Sequence, residues 1–298
     1  MTLVVACATS DIGFMVADTL LSSEFELKGR VGPVNGKYHA LKVQILDPST
    51  AIAFAGDVEP SFDLIKNLHT ELRENPSMNV PERLFQTYLR VIERAENEQA
   101  PDCEFLVLQL TLEGRKLTHV TRERMLRSER AYIGDPEEYK RMKELQRPYL
   151  PPKTQHVQQP DGSFHIVPLV ASKGEIEFAE ISNALETLCH QRRSKSVGAI
   201  CGSVTRVVDA KISGELEYLQ SVEASVSPEE EHSGFSFLAS NTEIRGVGIY
   251  FRSGKMGYLF VVGDSEPCRR ENANTFGLFV AMAKEKYGLN LTGGSWTD

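Results

Sequence analysis

An apolar run that begins at the second residue constrains the fold of this 298-residue chain more than any other feature of its sequence. Residues 3–8 read LVVACA, an SDIG turn follows at 10–13, and residues 14–17 (FMVA) are again apolar. Two short apolar runs separated by a turn indicate a buried β-hairpin. We therefore predict a core strand immediately after Met1, with Thr2 at its start.

The predicted strand gives Thr2 a chemical interpretation. Because Thr2 is small, ordinary removal of Met1 would expose the Thr2 α-amino group beside its own hydroxyl. Such a threonine is a nucleophile that carries its own base, since a free α-amine has a reference pKa of about 7.7–8.0. The alternative is that threonine stands at position 2 by chance, roughly one case in twenty by residue usage. The strand predicted to start there favours the nucleophile.

Two further stretches extend this pattern. Residues 42–48 read KVQILDP and residues 51–57 read AIAFAGD. Together with the run from Thr2 to Asp18, they resemble the proteasome β-subunits and the related bacterial HslV and Anbu proteins. Those proteins are threonine peptidases of the N-terminal nucleophile (Ntn) hydrolase superfamily.

The resemblance implies a role for four residues. Thr2 would be the nucleophile, and Lys42 would lower the pKa of the Thr2 amine or hydroxyl through its positive charge. Asp18 would orient Lys42, and Gly56, fourteen positions after Lys42, would present its backbone N–H to the developing oxyanion. Taken singly, each has a structural alternative, because solvent-facing strand lysines, turn aspartates and turn glycines are common. Their joint occurrence favours the catalytic interpretation.

The chain departs from the family at the residues that support the nucleophile. Where proteasome-type subunits carry Asp-x-x-Ser-Gly, residues 198–202 read GAICG, so Gly198 replaces the aspartate and Cys201 replaces the serine. Where the family often has Gly-Ser-Gly, this chain has Gly134-Asp135-Pro136. Asp135 is therefore the candidate for the missing supporting carboxylate. A nucleophile without such support retains its chemistry but loses efficiency.

The order of the predicted elements indicates an α/β protein. Hairpin strands are predicted at 104–112 and 115–122, with a further strand at 129–133. Helices are predicted at 60–75, 81–99, 136–145, 175–191 and 272–287. This succession, like the resemblance, implies a four-layer αββα sandwich, in which helices flank two antiparallel β-sheets, the Ntn-hydrolase fold.

We predict a single domain over residues 1–298. Residues 147–162 are rich in proline and polar residues, which predicts an exposed insertion. Residues 230–298 exceed a minimal member of the family and are predicted to form an extended C-terminal part.

Composition limits the partners and the compartment. The net charge of −8 and the lack of a basic cluster with interleaved aromatic residues argue against nucleic acid. No apolar stretch approaches the length of a membrane-spanning helix, and no Lys or Arg precedes the N-terminal run, so we expect no membrane association or secretion. Five scattered cysteines indicate a reduced, cytoplasmic protein. Seven histidines without HxxxH or HxH spacing predict no metal, and no other cofactor is expected.

The sequence thus predicts a threonine-type peptidase that cleaves peptides or unfolded proteins. The resemblance further implies a homo-oligomeric ring and an ATPase partner. Two alternatives stay open. One is a small-amide Ntn amidohydrolase that uses Thr2 without a ring. The other is a non-catalytic, proteasome-like scaffold subunit in which Thr2 is never freed.

Overall fold

The structure is a computed structural model. It describes residues 2–21, 38–95, 100–151, 154–158, 164–168, 171–191, 194, 196–200, 203–210, 213–223, 234–264 and 266–293.

The described ranges contain nineteen strands and five helices. The strands are β1 (Leu3–Ala8), β2 (Gly13–Ala17), β3 (Leu20–Leu21), β4 (Tyr38–His39), β5 (Val43–Asp47), β6 (Thr50–Gly56), β7 (Cys103–Thr111), β8 (Gly114–Val120), β9 (Met125–Ser128), β10 (Arg130–Gly134), β11 (Thr154–Gln158), β12 (Phe164–Pro168), β13 (Thr205–Asp209), β14 (Leu216–Tyr218), β15 (Ser221–Glu223), β16 (Phe235–Asn241), β17 (Arg245–Phe251), β18 (Met256–Val261) and β19 (Arg269–Asn272). The helices are α1 (Val58–Glu74), α2 (Val80–Arg94), α3 (Pro136–Leu145), α4 (Lys173–His190) and α5 (Phe276–Tyr287).

The N-terminal hairpin lies inside the first sheet, whose strand order is β10-β1-β2-β13-β14. Every residue of β1 and β2 is buried, which confirms the predicted core hairpin. Leu3 and Val5 point to one face and cluster with apolar residues of α4. Val4 and Ala6 point to the other face and join the main core. Because successive strand residues point to opposite faces, a strand that is apolar throughout requires cover on both.

The second sheet has the strand order β5-β6-β7-β8-β9. Helix α1 packs against β6 and β7, and α2 packs against β8. Leu64, Leu68 and Leu72 recur every four residues on the buried side of α1, which is the spacing of one helix face. Strands β6, β7 and β8 also contact β1 and β10, so the second sheet packs on the first.

The third sheet, β15-β16-β17-β18-β19, has one face in the main core. Phe237, Ile249 and Phe260 belong to the core that includes β5, β6 and β7. Leu238, Tyr250 and Leu259 point to the opposite face and cluster with α5, as the strand alternation requires. Arg245 in β17 donates a hydrogen bond of 2.9 Å to the carbonyl of Leu216 in β14. The third sheet is therefore joined to the first by core packing and by a buried polar contact.

The predicted four-layer αββα sandwich is wrong. That architecture has two antiparallel sheets between layers of helices, whereas the described residues form three five-stranded antiparallel sheets and two two-stranded ones. The protein is mostly β. Residues 230–298, predicted as an extended C-terminal part, include β16 to β19, and the inner face of their sheet lies in the main core.

Several separate elements do lie where the periodicity predicts them. The helices predicted at 60–75 and 136–145 correspond to α1 and α3. Residues 96–99 of the second predicted helix lie outside the described residues, and α2 ends at Arg94. The predicted insertion at 147–162 overlaps a hairpin, because β11 begins at Thr154 and pairs with β12. The prediction of a single domain stays a prediction.

Replacing Tyr218 with phenylalanine is expected to lower the free energy of unfolding by about 2–3 kcal/mol. The buried Tyr218 hydroxyl donates to the Val43 carbonyl at 3.0 Å and accepts from the Ile45 amide at 2.9 Å. Phenylalanine would leave both β5 backbone groups buried without a partner. Urea unfolding measures the change, with Tyr132→Phe as the control. Tyr132 is 37% exposed, and its change is expected to stay within about 0.5 kcal/mol.

Candidate active site

The N-terminal hairpin brings Thr2 and Asp18 together. Val4 pairs with Ala17 across β1 and β2, so Thr2 before β1 and Asp18 after β2 lie at the same end of the hairpin. The Thr2 hydroxyl donates a hydrogen bond of 2.8 Å to Asp18 Oδ1. Both residues are buried, with exposed fractions of 4% for Thr2 and 0% for Asp18. A hydroxyl held on a buried carboxylate has a fixed orientation.

Lys42 forms an ion pair with the same carboxylate. It directly precedes β5, and its Nζ lies 3.0 Å from Asp18 Oδ1 and 2.9 Å from Asp18 Oδ2. Lys42 Nζ also donates to the Leu20 carbonyl. Lys42 is 1% exposed. Burial lowers the pKa of Lys42 from its ordinary 10.5, and the charge of Asp18 opposes that shift.

Backbone amides complete the surroundings of Asp18. The Leu3 amide donates to Oδ1 at 3.0 Å, and the amides of Leu20 and Gly198 donate to Oδ2 at 3.2 and 3.1 Å. A fully buried carboxylate is stable only when opposite charge and hydrogen bonds replace its hydration. Gly198, predicted from its position in the GAICG stretch, thus contributes through its backbone N–H.

Gly56 ends β6 and has a conformation that favours glycine. Its φ is +93°, and a Cβ at this position would lie 2.0 Å from the carbonyl oxygen of Asp102. The Phe54 amide donates to the Lys42 carbonyl at 3.2 Å. Because amide directions alternate along a strand, the amides of Phe54 and Gly56 point to the same side of β6. That side faces β5, which Lys42 directly precedes. Gly56 itself is exposed at the end of β6.

Asp135 contacts Thr2 through its backbone. The Asp135 amide donates to the Thr2 carbonyl at 2.7 Å. Its carboxylate instead accepts from Ser196 Oγ at 2.7 Å and caps α3 by accepting from the Glu137 and Glu138 amides. Burial acts to raise the pKa of Asp135, but these hydrogen bonds outweigh it, and the pKa lies below 3.8.

The structure therefore joins Thr2, Asp18, Lys42 and Gly198 by hydrogen bonds, and Asp135 reaches the group through the Thr2 backbone. Cys201 lies outside the described residues. Sequence reasoning missed Ser196 and gave no role to Gly134, and both residues lie next to this group. Their sequence signals were a serine two positions before Gly198 and a glycine directly before Asp135, neither of which is distinctive without coordinates.

Among the described residues, no group of three or more His, Cys, Asp or Glu side chains could hold a metal ion. Within the same part of the chain, no helix is long and apolar enough to cross a membrane.

No protein-family model matches this chain, and no match is found among curated proteins. The resemblance to the proteasome-like peptidases depends on the motifs quoted above. The case for an active site depends on the geometry around Asp18.

Proposed function

We propose that this protein is a threonine-type amide-bond hydrolase, a peptidase whose nucleophile is Thr2 after removal of Met1. One observation carries the proposal: the Thr2 hydroxyl and the Lys42 ammonium bind the same fully buried carboxylate, that of Asp18. A buried ion pair is weak evidence for stability, since apolar residues of similar volume often replace one without loss. We infer a chemical role for a buried pair that also holds the Thr2 hydroxyl.

The proposed reaction has two steps, formation of an ester on Thr2 and hydrolysis of that ester. In the first, Thr2 Oγ attacks the scissile carbonyl while the hydroxyl proton passes to the freed Thr2 α-amine, directly or through a water. The tetrahedral oxyanion accepts a hydrogen bond from the Gly56 N–H. The α-ammonium then gives its proton to the leaving amine, which departs and leaves an ester on Thr2. In the second, water attacks that ester, releases the acid and restores the hydroxyl.

Asp18 and Lys42 have positioning and electrostatic roles in this mechanism. The Asp18 carboxylate accepts a hydrogen bond of 2.8 Å from the Thr2 hydroxyl and also binds Lys42 Nζ. The Lys42 positive charge favours the negative charge that develops on the Thr2 oxygen. In the low-dielectric surroundings of a buried site, such an effect is stronger than in water.

The proposal extends to substrate, assembly and compartment. Peptides or unfolded proteins are the proposed substrates, and an extended chain would bind at the exposed end of β6, at Gly56. A homo-oligomeric ring and an ATPase partner follow from the resemblance alone. We also propose a cytoplasmic location, which the four buried, free cysteines of the described ranges support. Sedimentation of the purified protein tests the ring and separates this proposal from a monomeric amidohydrolase.

The deciding experiment is the intact mass of the purified protein before and after incubation with peptidyl epoxyketones ending in leucine, arginine or glutamate. These reagents react with the hydroxyl and amine of an N-terminal threonine together. We expect loss of Met1 and one adduct that maps to Thr2. Thr2→Val should abolish the adduct, whereas Thr50→Val, which alters a buried threonine on β6, should leave it intact.

A retained Met1 with no adduct for any of the three reagents would contradict the proposal and favour a scaffold role. An adduct that survives in Thr2→Val would assign the reactivity to another residue and would contradict it equally.

A further inference from the structure

A segment after α4, comprising Ser194 and residues 196–198, contacts the carboxylates of Asp135 and Asp18, the two residues that hydrogen-bond to Thr2. Ser196 Oγ donates to Asp135 Oδ2 at 2.7 Å, and the Gly198 amide donates to Asp18 Oδ2 at 3.1 Å. Ser196 is 7% exposed and Asp135 8% exposed, so their hydrogen bond is shielded from water. This segment therefore holds both Asp135 and Asp18, which in turn contact the candidate nucleophile.

The segment is itself fixed by local hydrogen bonds. Ser194 Oγ accepts from the Ser196 amide at 3.1 Å and from the Val197 amide at 2.9 Å. Farther along, the Gly198 carbonyl accepts from the Thr19 and Leu20 amides at 3.0 and 2.8 Å. With its backbone anchored on both sides, the Ser196 hydroxyl has a defined direction toward Asp135.

Asp135 links Ser196 to Thr2 through hydrogen bonds. One carboxylate oxygen is held by Ser196, and the other accepts from the Glu137 and Glu138 amides at the start of α3. With both oxygens engaged, the residue has little rotational freedom, and its own N–H donates to the Thr2 carbonyl at 2.7 Å. The position of Thr2 thus depends on Asp135, and that of Asp135 depends on Ser196.

We propose that Ser196 is a positioning residue for Thr2, acting through Asp135 and the hydrogen bond between the Asp135 amide and the Thr2 carbonyl. This inference rests on the proposed function, because positioning matters for catalysis only if Thr2 is the nucleophile. The competing explanation is that Ser196 only satisfies a buried carboxylate and stabilises the end of α3.

Epoxyketone kinetics distinguish the two roles. Ser196→Ala should lower the maximal rate of adduct formation at Thr2 by about tenfold to a hundredfold, because small displacements of a reacting group have effects of that size. The reagent's half-saturating concentration should change by less than about twofold, since no binding contact is removed. A Ser196 that only stabilises the fold would leave both constants unchanged in the folded fraction.

Ser182→Ala is the matched control. Ser182 lies on α4, is 4% exposed, and its Oγ has no hydrogen-bond partner within the described part of the chain. Its removal should leave the rate constants unchanged. If Ser196→Ala does not fold, Ser196→Cys keeps the shape with a weaker donor and should give an intermediate loss. Equal rates for the folded Ser196 variant and Ser182→Ala would overturn the inference.

A second measurement does not depend on activity. Hydrogen exchange of the Asp135 amide, followed by NMR, reports directly on its bond to the Thr2 carbonyl. Ser196→Ala should accelerate that exchange by about tenfold or more, and Ser182→Ala should not. If the epoxyketones do not label the wild-type protein, the proposed function is wrong. If the exchange rate of the Asp135 amide is unchanged in Ser196→Ala, the positioning role of Ser196 is wrong.

Discussion

Replacing Lys42 with methionine is expected to lower the free energy of unfolding by about 3–5 kcal/mol. Methionine fills a similar volume but leaves the Asp18 carboxylate, which is 0% exposed, without its positive partner. A buried charge that loses its counter-charge has no water to replace it. Urea unfolding measures the stability, and epoxyketone labelling of the protein that remains folded should show loss of the Thr2 adduct.

Two further variants make this prediction specific. Lys116→Met removes a lysine whose partner Glu113 is 78% exposed, and its effect should be below about 1 kcal/mol. Lys42→Met combined with Asp18→Asn removes both buried charges and should recover part of the stability. Recovery is expected to be incomplete, because backbone amides donate to both Asp18 oxygens, Leu3 to Oδ1 and Leu20 and Gly198 to Oδ2, and asparagine keeps only one acceptor oxygen. A loss below about 1 kcal/mol in Lys42→Met would contradict the buried ion pair.

Two signals in the sequence lead to the centre of the candidate site: the local pattern of the hairpin, and the family resemblance. The hairpin of β1 and β2 follows from two apolar runs and a turn, and its register places Thr2 and Asp18 at one end. The pairing of Lys42 with Asp18 is what the resemblance implies. That contact joins residues 24 positions apart. The catalytic roles of these residues remain predictions.

The surrounding contacts could not be predicted, since they join residues distant in the chain. Ser196 and Asp135 are 61 positions apart, and Gly198 and Asp18 are 180 apart. No periodicity of the sequence indicates such pairs. The sequence predicts that Asp135 supports the nucleophile with its carboxylate, yet its backbone amide donates to Thr2, and the carboxylate caps α3.

The error in the fold has a similar cause. Alternating apolar residues predict strands, but they do not show which sheet a strand joins. Strand β13 pairs with β2, whose residues lie about 190 positions earlier, whereas β16 to β19 pair with their sequence neighbours in a third sheet. Phe237 and Phe260 then enter the same core as β5 and β6. A two-sheet fold has no third sheet, so the resemblance could not place β16 to β19.

Replacing Gly134 with alanine is expected to disable the candidate site. Gly134 has a φ of +99°, and a Cβ there would lie 2.0 Å from the carbonyl oxygen of Thr2. Real Cβ atoms do not approach a backbone oxygen so closely, so Thr2 or β10 must move. We expect a stability loss of about 3–5 kcal/mol and at least about a hundredfold lower rate of epoxyketone labelling.

Gly114 provides the control for the backbone conformation alone. It also has a positive φ, +117°, but a Cβ there would meet nothing within 4 Å. Gly114→Ala should therefore lose only about 1–2 kcal/mol, the penalty of an L-residue in that region, with the labelling rate unchanged. The difference between the two variants isolates the contact with Thr2, because both share the unfavourable φ. Equal losses of stability and labelling in both variants would mean that the close approach of Gly134 to Thr2 has no part in holding the nucleophile.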